Sequence, residues 1–127
     1  MGMFKKRVKI HNMSNGDLYF EHDFWVDTGA LYSFIPEDWL NKIKVEPSDT
    51  RNLILADGRT DKRLFGFANF EIEGLKGSIP CPVIFAPKKS FFLLGATALE
   101  NFAVMADPVN KDLKSILSII AGFIIQK

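Results

Sequence analysis

From Leu18 to Val26 apolar and polar positions alternate, with Leu18, Phe20, Phe24 and Val26 on one face and Tyr19, Glu21, Asp23 and Trp25 on the other. A two-residue period marks a half-buried strand, and the turn residues Asn15-Gly16-Asp17 ahead of it make it an arm of an antiparallel pair. His22 interrupts the apolar face and reads as a structural residue. The segment Leu64 to Glu73 repeats the pattern: Leu64, Ala68, Phe70 and Ile72 share a face, with Glu71 and Glu73 opposite. A turn over Gly74 to Gly77 follows, then a return strand with Ile79, Cys81, Val83 and Phe85 on one side and Pro80 and Pro82 on the other. Proline cannot donate to a ladder, so this strand is expected at an edge or a bulge.

Helical signals are short. Pro36 before Glu37 and Asp38 suits a first helical turn, where proline lacks only an N–H that has no partner anyway and carboxylates meet the positive end of the helix dipole. Ala96 to Phe102 is the second candidate, with Leu99 and Phe102 three apart on one face. Many short strands, few helices and Gly/Pro/Asn punctuation point to an all-β barrel or sandwich. Repeats, low-complexity tracts and linkers are absent, so residues 1–127 read as one domain. The segment 115–127 stands apart as an apolar extension: Ser115 to Gln126 carries no charge and is rich in isoleucine. It falls short of the roughly 20 residues that span a bilayer, so it belongs to a core or an association surface.

Composition narrows the function classes. The chain has 127 residues, 47% of them hydrophobic, and a formal net charge of +1. A chain this long buries enough surface to fold without disulfides or a structural metal. Near-zero charge offers no field for nucleic acid or an anionic membrane. Cys81 is the only cysteine, and with only His11 and His22 beside it there is no metal-ligand spacing. No apolar segment follows the basic residues near the N-terminus, so a cytoplasmic protein without metal or cofactor is expected.

The chemistry is concentrated at Val26-Asp27-Thr28-Gly29-Ala30, which leads into the apolar run Leu31 to Ile35. A carboxylate directly after an apolar strand is held by a rigid element yet faces a cleft. Gly29 permits a tight turn, and the Thr28 hydroxyl can lock the loop. Taken alone, Asp-Thr-Gly is also an ordinary turn sequence. Further along, Phe91-Phe92-Leu93-Leu94-Gly95 forms an apolar strand ending in glycine ahead of the helix candidate, and Leu55-Ala56-Asp57-Gly58-Arg59 carries the Asp-Gly signal of a hairpin tip.

In this order, Val26 to Ala30, Leu55 to Arg59 and Leu93-Leu94-Gly95, followed by a helix and a strand at Ala103 to Asp107, resemble the retropepsin-like, retroviral-type single-domain aspartic proteases from about Leu18 to Leu113. The resemblance implies a closed acid-protease-type barrel with one short C-terminal helix, forming a homodimer. It implies an endopeptidase in which Asp27 is catalytic, one from each subunit, activating a water against a peptide or protein substrate. Thr28, Gly29, Ala30, Leu93, Leu94 and Gly95 would support the active loop, and Ala56, Asp57, Gly58 and Arg59 would form a flap over the substrate.

Two carboxylates that close cannot both ionise cheaply, so one accepts a proton while the other donates. A second Asp-Thr-Gly is absent, so one chain supplies half of such a site. The sequence departs from the family pattern in three ways: Ala96 and Thr97 follow Gly95 where viral members often carry a basic residue, the flap tip is charged by Asp57 and Arg59, and the apolar tail has no counterpart. In the family, chain termini build an intersubunit sheet, which makes Ile116 to Ile125 a candidate dimerising segment. Phe65 and Phe67 would line a substrate groove or pack in the core or at a dimer contact. The alternative to catalysis is a noncatalytic dimeric peptide-binding or scaffold module with the same fold.

Overall fold

The computed structural model describes residues 3–55 and 57–116. The chain folds mainly as strands: β1 (Lys5–His11), β2 (Tyr19–Val26), β3 (Ser33–Pro36), β4 (Asp49–Ile54), β5 (Thr60–Ile72), β6 (Ile79–Ala86), β7 (Leu93–Leu94), β8 (Val104–Asp107) and β9 (Asp112–Ser115). Two helices accompany them, α1 (Glu37–Lys42) and α2 (Ala96–Asn101). The main sheet runs β1-β2-β7-β3-β6-β5-β4, and β1 also pairs with β5, Val8 opposite Ile72 and Ile10 opposite Phe70. Hydrogen bonding therefore returns from β5 to β1, and only β4 stands outside that circuit. The pair β8–β9 is a separate hairpin, tied to β1 where Lys6 Nζ meets Asp112 Oδ1 at 3.0 Å.

The alternation dictates what goes inside. In β2, Phe24 and Val26 are buried while Tyr19, Glu21 and Asp23 are exposed. They join Val8, Ile10, Ile35, Phe70, Ile72, Val83, Phe85 and Leu94 in one core cluster. Each such side chain withdrawn from water contributes about 1.5–3 kcal/mol. His22 is structural: its ring stacks on Phe92 at 3.7 Å between centroids, and Trp39 meets it edge-on at 5.2 Å.

β1 carries no clear strand signal because four basic residues obscure its period. Its outer face is nonetheless a cross-strand ladder with β2: Lys5 lies over Trp25, Arg7 meets Asp23 at 3.3 Å and Glu21 at 3.6 Å, and Lys9 reaches Glu21 at 3.5 Å. The basic cluster is thus paired locally.

Three expectations need correction. Leu64 shares its parity with Ala68, Phe70 and Ile72 but is 44% exposed, whereas Phe65 is buried. The reason is that the first half of β5 leaves the core together with β4, Asp49 pairing with Phe65 and Ile54 with Thr60. On that projecting arm the inward face of the core half no longer faces inward. Secondly, β6 is an interior strand, paired with β5 along Ile79–Ile84 and with β3 from Val83 onward. Both prolines lie in the stretch that pairs with β5 alone, so the edge expected of them holds there and fails only from Val83 onward; the Pro80 carbonyl accepts from Asn101 Nδ2 of α2 at 3.1 Å. Thirdly, Pro36 ends β3 and sits just before the helix rather than in its first turn, so α1 is a full second helix. Beyond Ile116 the apolar extension, with the dimerising role expected of it, lies outside the described residues.

Candidate active site

Asp27 is placed by the end of β2. Val26 donates its N–H to the Phe4 carbonyl at 2.9 Å, Trp25 donates to the Phe92 carbonyl at 2.9 Å, and Asp27 donates to the Leu94 carbonyl at 3.0 Å. Parallel pairing sets Trp25 beside Leu93 and Val26 beside Leu94. The strand is thus clamped on both sides up to the residue that carries the carboxylate, and then turns: Ala30 N–H donates to the Asp27 carbonyl at 3.2 Å.

Within the turn, Gly29 N–H donates to Asp27 Oδ1 at 3.0 Å. A Cβ on Gly29 would stand 3.3 Å from that oxygen, so a larger residue there would press on the carboxylate and shift it by a few tenths of an ångström. Nothing among the described residues is hydrogen-bonded to Oδ2, and Thr28 is exposed. Asp27 and Thr28 open on a hollow of about 660 Å³ whose other lining includes Met3, Phe4, Ala106 and Pro108. The carboxylate is therefore fixed through one oxygen, with the other left to a reactant or a partner, beside an apolar surface.

Leu93, Leu94 and Gly95 lie against this loop, as do Ala30 and the residues that follow it. Ala96 N–H donates to the Ala30 carbonyl at 2.7 Å, Thr97 N–H to the Leu31 carbonyl at 2.9 Å, and Gly95 N–H to Ser33 Oγ at 3.0 Å. The amides at the start of α2, which lack partners within the helix, are satisfied by the Ala30 and Leu31 carbonyls. Gly95 has to be glycine here because a Cβ would sit 2.5 Å from the Tyr32 carbonyl carbon and 2.9 Å from the Ala30 oxygen.

Of the proposed flap residues, Asp57, Gly58 and Arg59 lie at the hairpin tip between β4 and β5. Leu55 N–H donates to the Arg59 carbonyl at 2.7 Å, Gly58 N–H donates to the Leu55 carbonyl at 2.9 Å, and Gly58 has φ +87°. Glycine in the left-handed region at this point suits the twist of the two flanking strands. Asp57 binds both the Arg59 amide, at 3.0 Å, and the Arg59 Nε, at 2.6 Å. These bonds hold the Asp57 carboxyl below its usual value of 3.8, the backbone amide contributing most. Ala56 lies outside the described residues. No hydrogen bond or ion pair among the described residues joins this tip to the Asp27 loop.

The base of the arm does reach the site. Tyr32 meets Phe65 edge-on at 5.1 Å, Phe65 meets Phe67 at 5.3 Å, and the Arg51 guanidinium covers Phe65 at 4.0 Å. Phe65 thus packs between the active loop and the arm, while Phe67 is 45% exposed. Sequence reasoning missed Tyr32, Ser33, Arg51 and the N-terminal Met3 and Phe4. Only Ser33 carried a signal, as the one small hydroxyl residue in the apolar run Leu31 to Ile35. Among the described residues, no three His, Cys, Asp or Glu side chains converge as a metal site would need.

The sequence model of a family described as aspartyl protease matches residues 8–98. No curated protein matches the chain. Thirty-one solved chains match in structure, among them the foamy viral protease-reverse transcriptase in complex with an RNA/DNA hybrid. That match has 16% sequence identity and a TM-score of 0.52, and it covers 74% of this chain but 11% of the viral chain.

Proposed function

This chain belongs to the aspartyl protease family and has a retropepsin-like fold, and from that premise we propose that it is an aspartic endopeptidase whose active site forms when two copies pair, each supplying Asp27. The observation that carries this reading is the state of the Asp27 carboxylate: Oδ1 is held by the Gly29 amide, Oδ2 is open, and both lie at the mouth of an apolar hollow. The strand circuit from β1 to β5 is, in this reading, the closed acid-protease barrel, and the hollow lined by Met3, Phe4, Ala106 and Pro108 faces the second copy.

One carboxylate of the pair is ionised and takes a proton from water as the oxygen attacks the scissile carbonyl. The other is protonated and hydrogen-bonds to the carbonyl oxygen as charge develops there. Collapse of the tetrahedral intermediate passes a proton to the amine that leaves, which restores the shared proton. The exposed Thr28 hydroxyl joins the two loops, Gly29 and Ala30 shape the turn, and Leu93, Leu94 and Gly95 brace it from below. The hairpin tip at Asp57, Gly58 and Arg59 closes over an extended peptide substrate. We place the enzyme in the cytoplasm, a reducing compartment that suits the single, buried, unpaired Cys81.

A mixed peptide library offered from about pH 3.5 to 7, to wild type and to Asp27→Asn, tests this reading, since the shared-proton pair works only where one carboxyl is ionised. Cleavage lost in the variant and blocked by a statine-type inhibitor supports it. Equal cleavage by both proteins, or none by dimeric wild type, refutes it and favours the noncatalytic scaffold. Sedimentation at micromolar concentration reports the dimer separately.

A further inference from the structure

Ser33 is the one fully buried polar side chain among the described residues, opposite Val83 in the β3–β6 pairing and two residues before the buried pair Ile35 and Phe85. A hydroxyl removed from water is tolerated when a hydrogen bond replaces the lost solvation. Ser33 Oγ receives that bond from Gly95 N–H at 3.0 Å. The Gly95 amide has few other options. β7 ends at Leu94, and Gly95 passes the Tyr32 backbone too closely for any side chain to intervene.

Four hydrogen bonds join the Asp27 loop to the 94–97 segment: Asp27 N–H to Leu94, Gly95 N–H to Ser33, Ala96 N–H to Ala30 and Thr97 N–H to Leu31. Three run between backbone groups, which a change of side chain other than to proline leaves in place. The Ser33 bond is the one made by a side chain, and the one in which donor and acceptor both belong to buried residues. Without it a buried N–H lacks a partner at the point where the two segments cross, and the crossing can relax by moving apart.

We propose that Ser33 is a positioning residue for the reaction: by holding the Gly95 amide it fixes the segment beneath the Asp27 turn and so the direction in which the Asp27 carboxylate presents its free oxygen. The catalytic part of this inference rests on the function proposed above; the positional part does not.

The test uses the full-length chain with Ser33→Ala, Ser33→Val and Ser33→Thr, the last keeping the hydroxyl and the second matching its bulk without one. Amide hydrogen exchange is read at Asp27, Gly95, Ala96 and Thr97, with Val8, Ile10 and Phe70 as core references. An unpartnered buried amide should make exchange at the site amides faster by roughly 5- to 100-fold in Ala and Val, with the references unchanged and Thr close to wild type. In parallel, kcat for a cleaved peptide should fall by about 10- to 100-fold with KM within about threefold, and Thr should recover it. Site amides that exchange at the wild-type rate in Ala and Val overturn the proposal. So does equal acceleration at the references, which would make Ser33 a matter of global stability. If Ser33→Ala does not fold, the Val and Thr pair decides. If wild type cleaves no peptide, the enzymatic reading fails while the exchange data still decide the position.

Discussion

Gly95→Ala gives the sharpest test of how the active loop is assembled. Gly95 has φ −92° and ψ 176°, a conformation open to any residue, so alanine there carries no backbone penalty. On conformational entropy alone the substitution should stabilise the fold by about 0.4–1 kcal/mol. The surroundings reverse the sign. The new Cβ would stand 2.5 Å from the Tyr32 carbonyl carbon, nearer still to its oxygen, and 2.9 Å from the Ala30 oxygen, all of them backbone atoms that cannot rotate aside. Relief requires the two segments to separate by about an ångström, which breaks the bonds from Gly95, Ala96 and Thr97 at 3.0, 2.7 and 2.9 Å. At about 1 kcal/mol net each, with overpacking strain of about 1–3 kcal/mol added and the entropic gain subtracted, the expected loss is about 3–6 kcal/mol. Chemical denaturation followed by Trp fluorescence measures it, and Tm should fall by about 10 °C or more. Gly16→Ala is the control, since a Cβ there meets nothing and the change should be neutral or slightly stabilising. A Gly95→Ala protein as stable as wild type would refute the steric account of this glycine and with it the reading of Leu93-Leu94-Gly95 as the brace of the loop.

The remaining expectations concern groups around the site. His22→Ala should cost about 1–3 kcal/mol, because it removes the stack on Phe92 and the edge contact with Trp39, while cleavage per folded molecule stays within about threefold; a far larger catalytic loss would give His22 a chemical role. At the hairpin tip, Asp57 is lowered below 3.8 by the Arg59 amide and side chain, so its stabilising effect is complete above that value and drains away as pH falls through the folded value. Amide exchange at Gly58 and Arg59 should accordingly speed up in acid, and Asp57→Asn should flatten that dependence; an unchanged profile in the variant would contradict it. Burial pushes the Cys81 thiol up to about 11, so a thiol reagent near pH 8 should label unfolded but not native protein, and rapid native labelling would show that the α2–β6 contact opens.

The alternation in β2 and in the core half of β5 was legible because side chains on a strand answer to a single face, and a period of two needs no partner to be seen; β6 is buried on both faces from Cys81 to Ala86, so its alternation did not hold. The same reasoning failed for Leu64, where the strand leaves the core with β4, and for β1, whose outward basic residues make sense only once Glu21 and Asp23 lie opposite them. The Asp27 turn was legible because its determinants are local: an apolar strand end, a carboxylate, and a glycine two residues on.

What the sequence by itself determined, then, is a β-rich chain with one carboxylate presented on a tight turn, and a family pattern that assigns that carboxylate work. The tertiary structure alone decided what holds it. Ser33, Tyr32 and Gly95 meet across more than sixty residues of chain, and contact at that separation depends on strand order and register, which leave no periodic trace in either segment. The same holds for Phe4 and Ala106, which reach the Asp27 hollow from opposite ends of the chain because β1 and β8 bring them there.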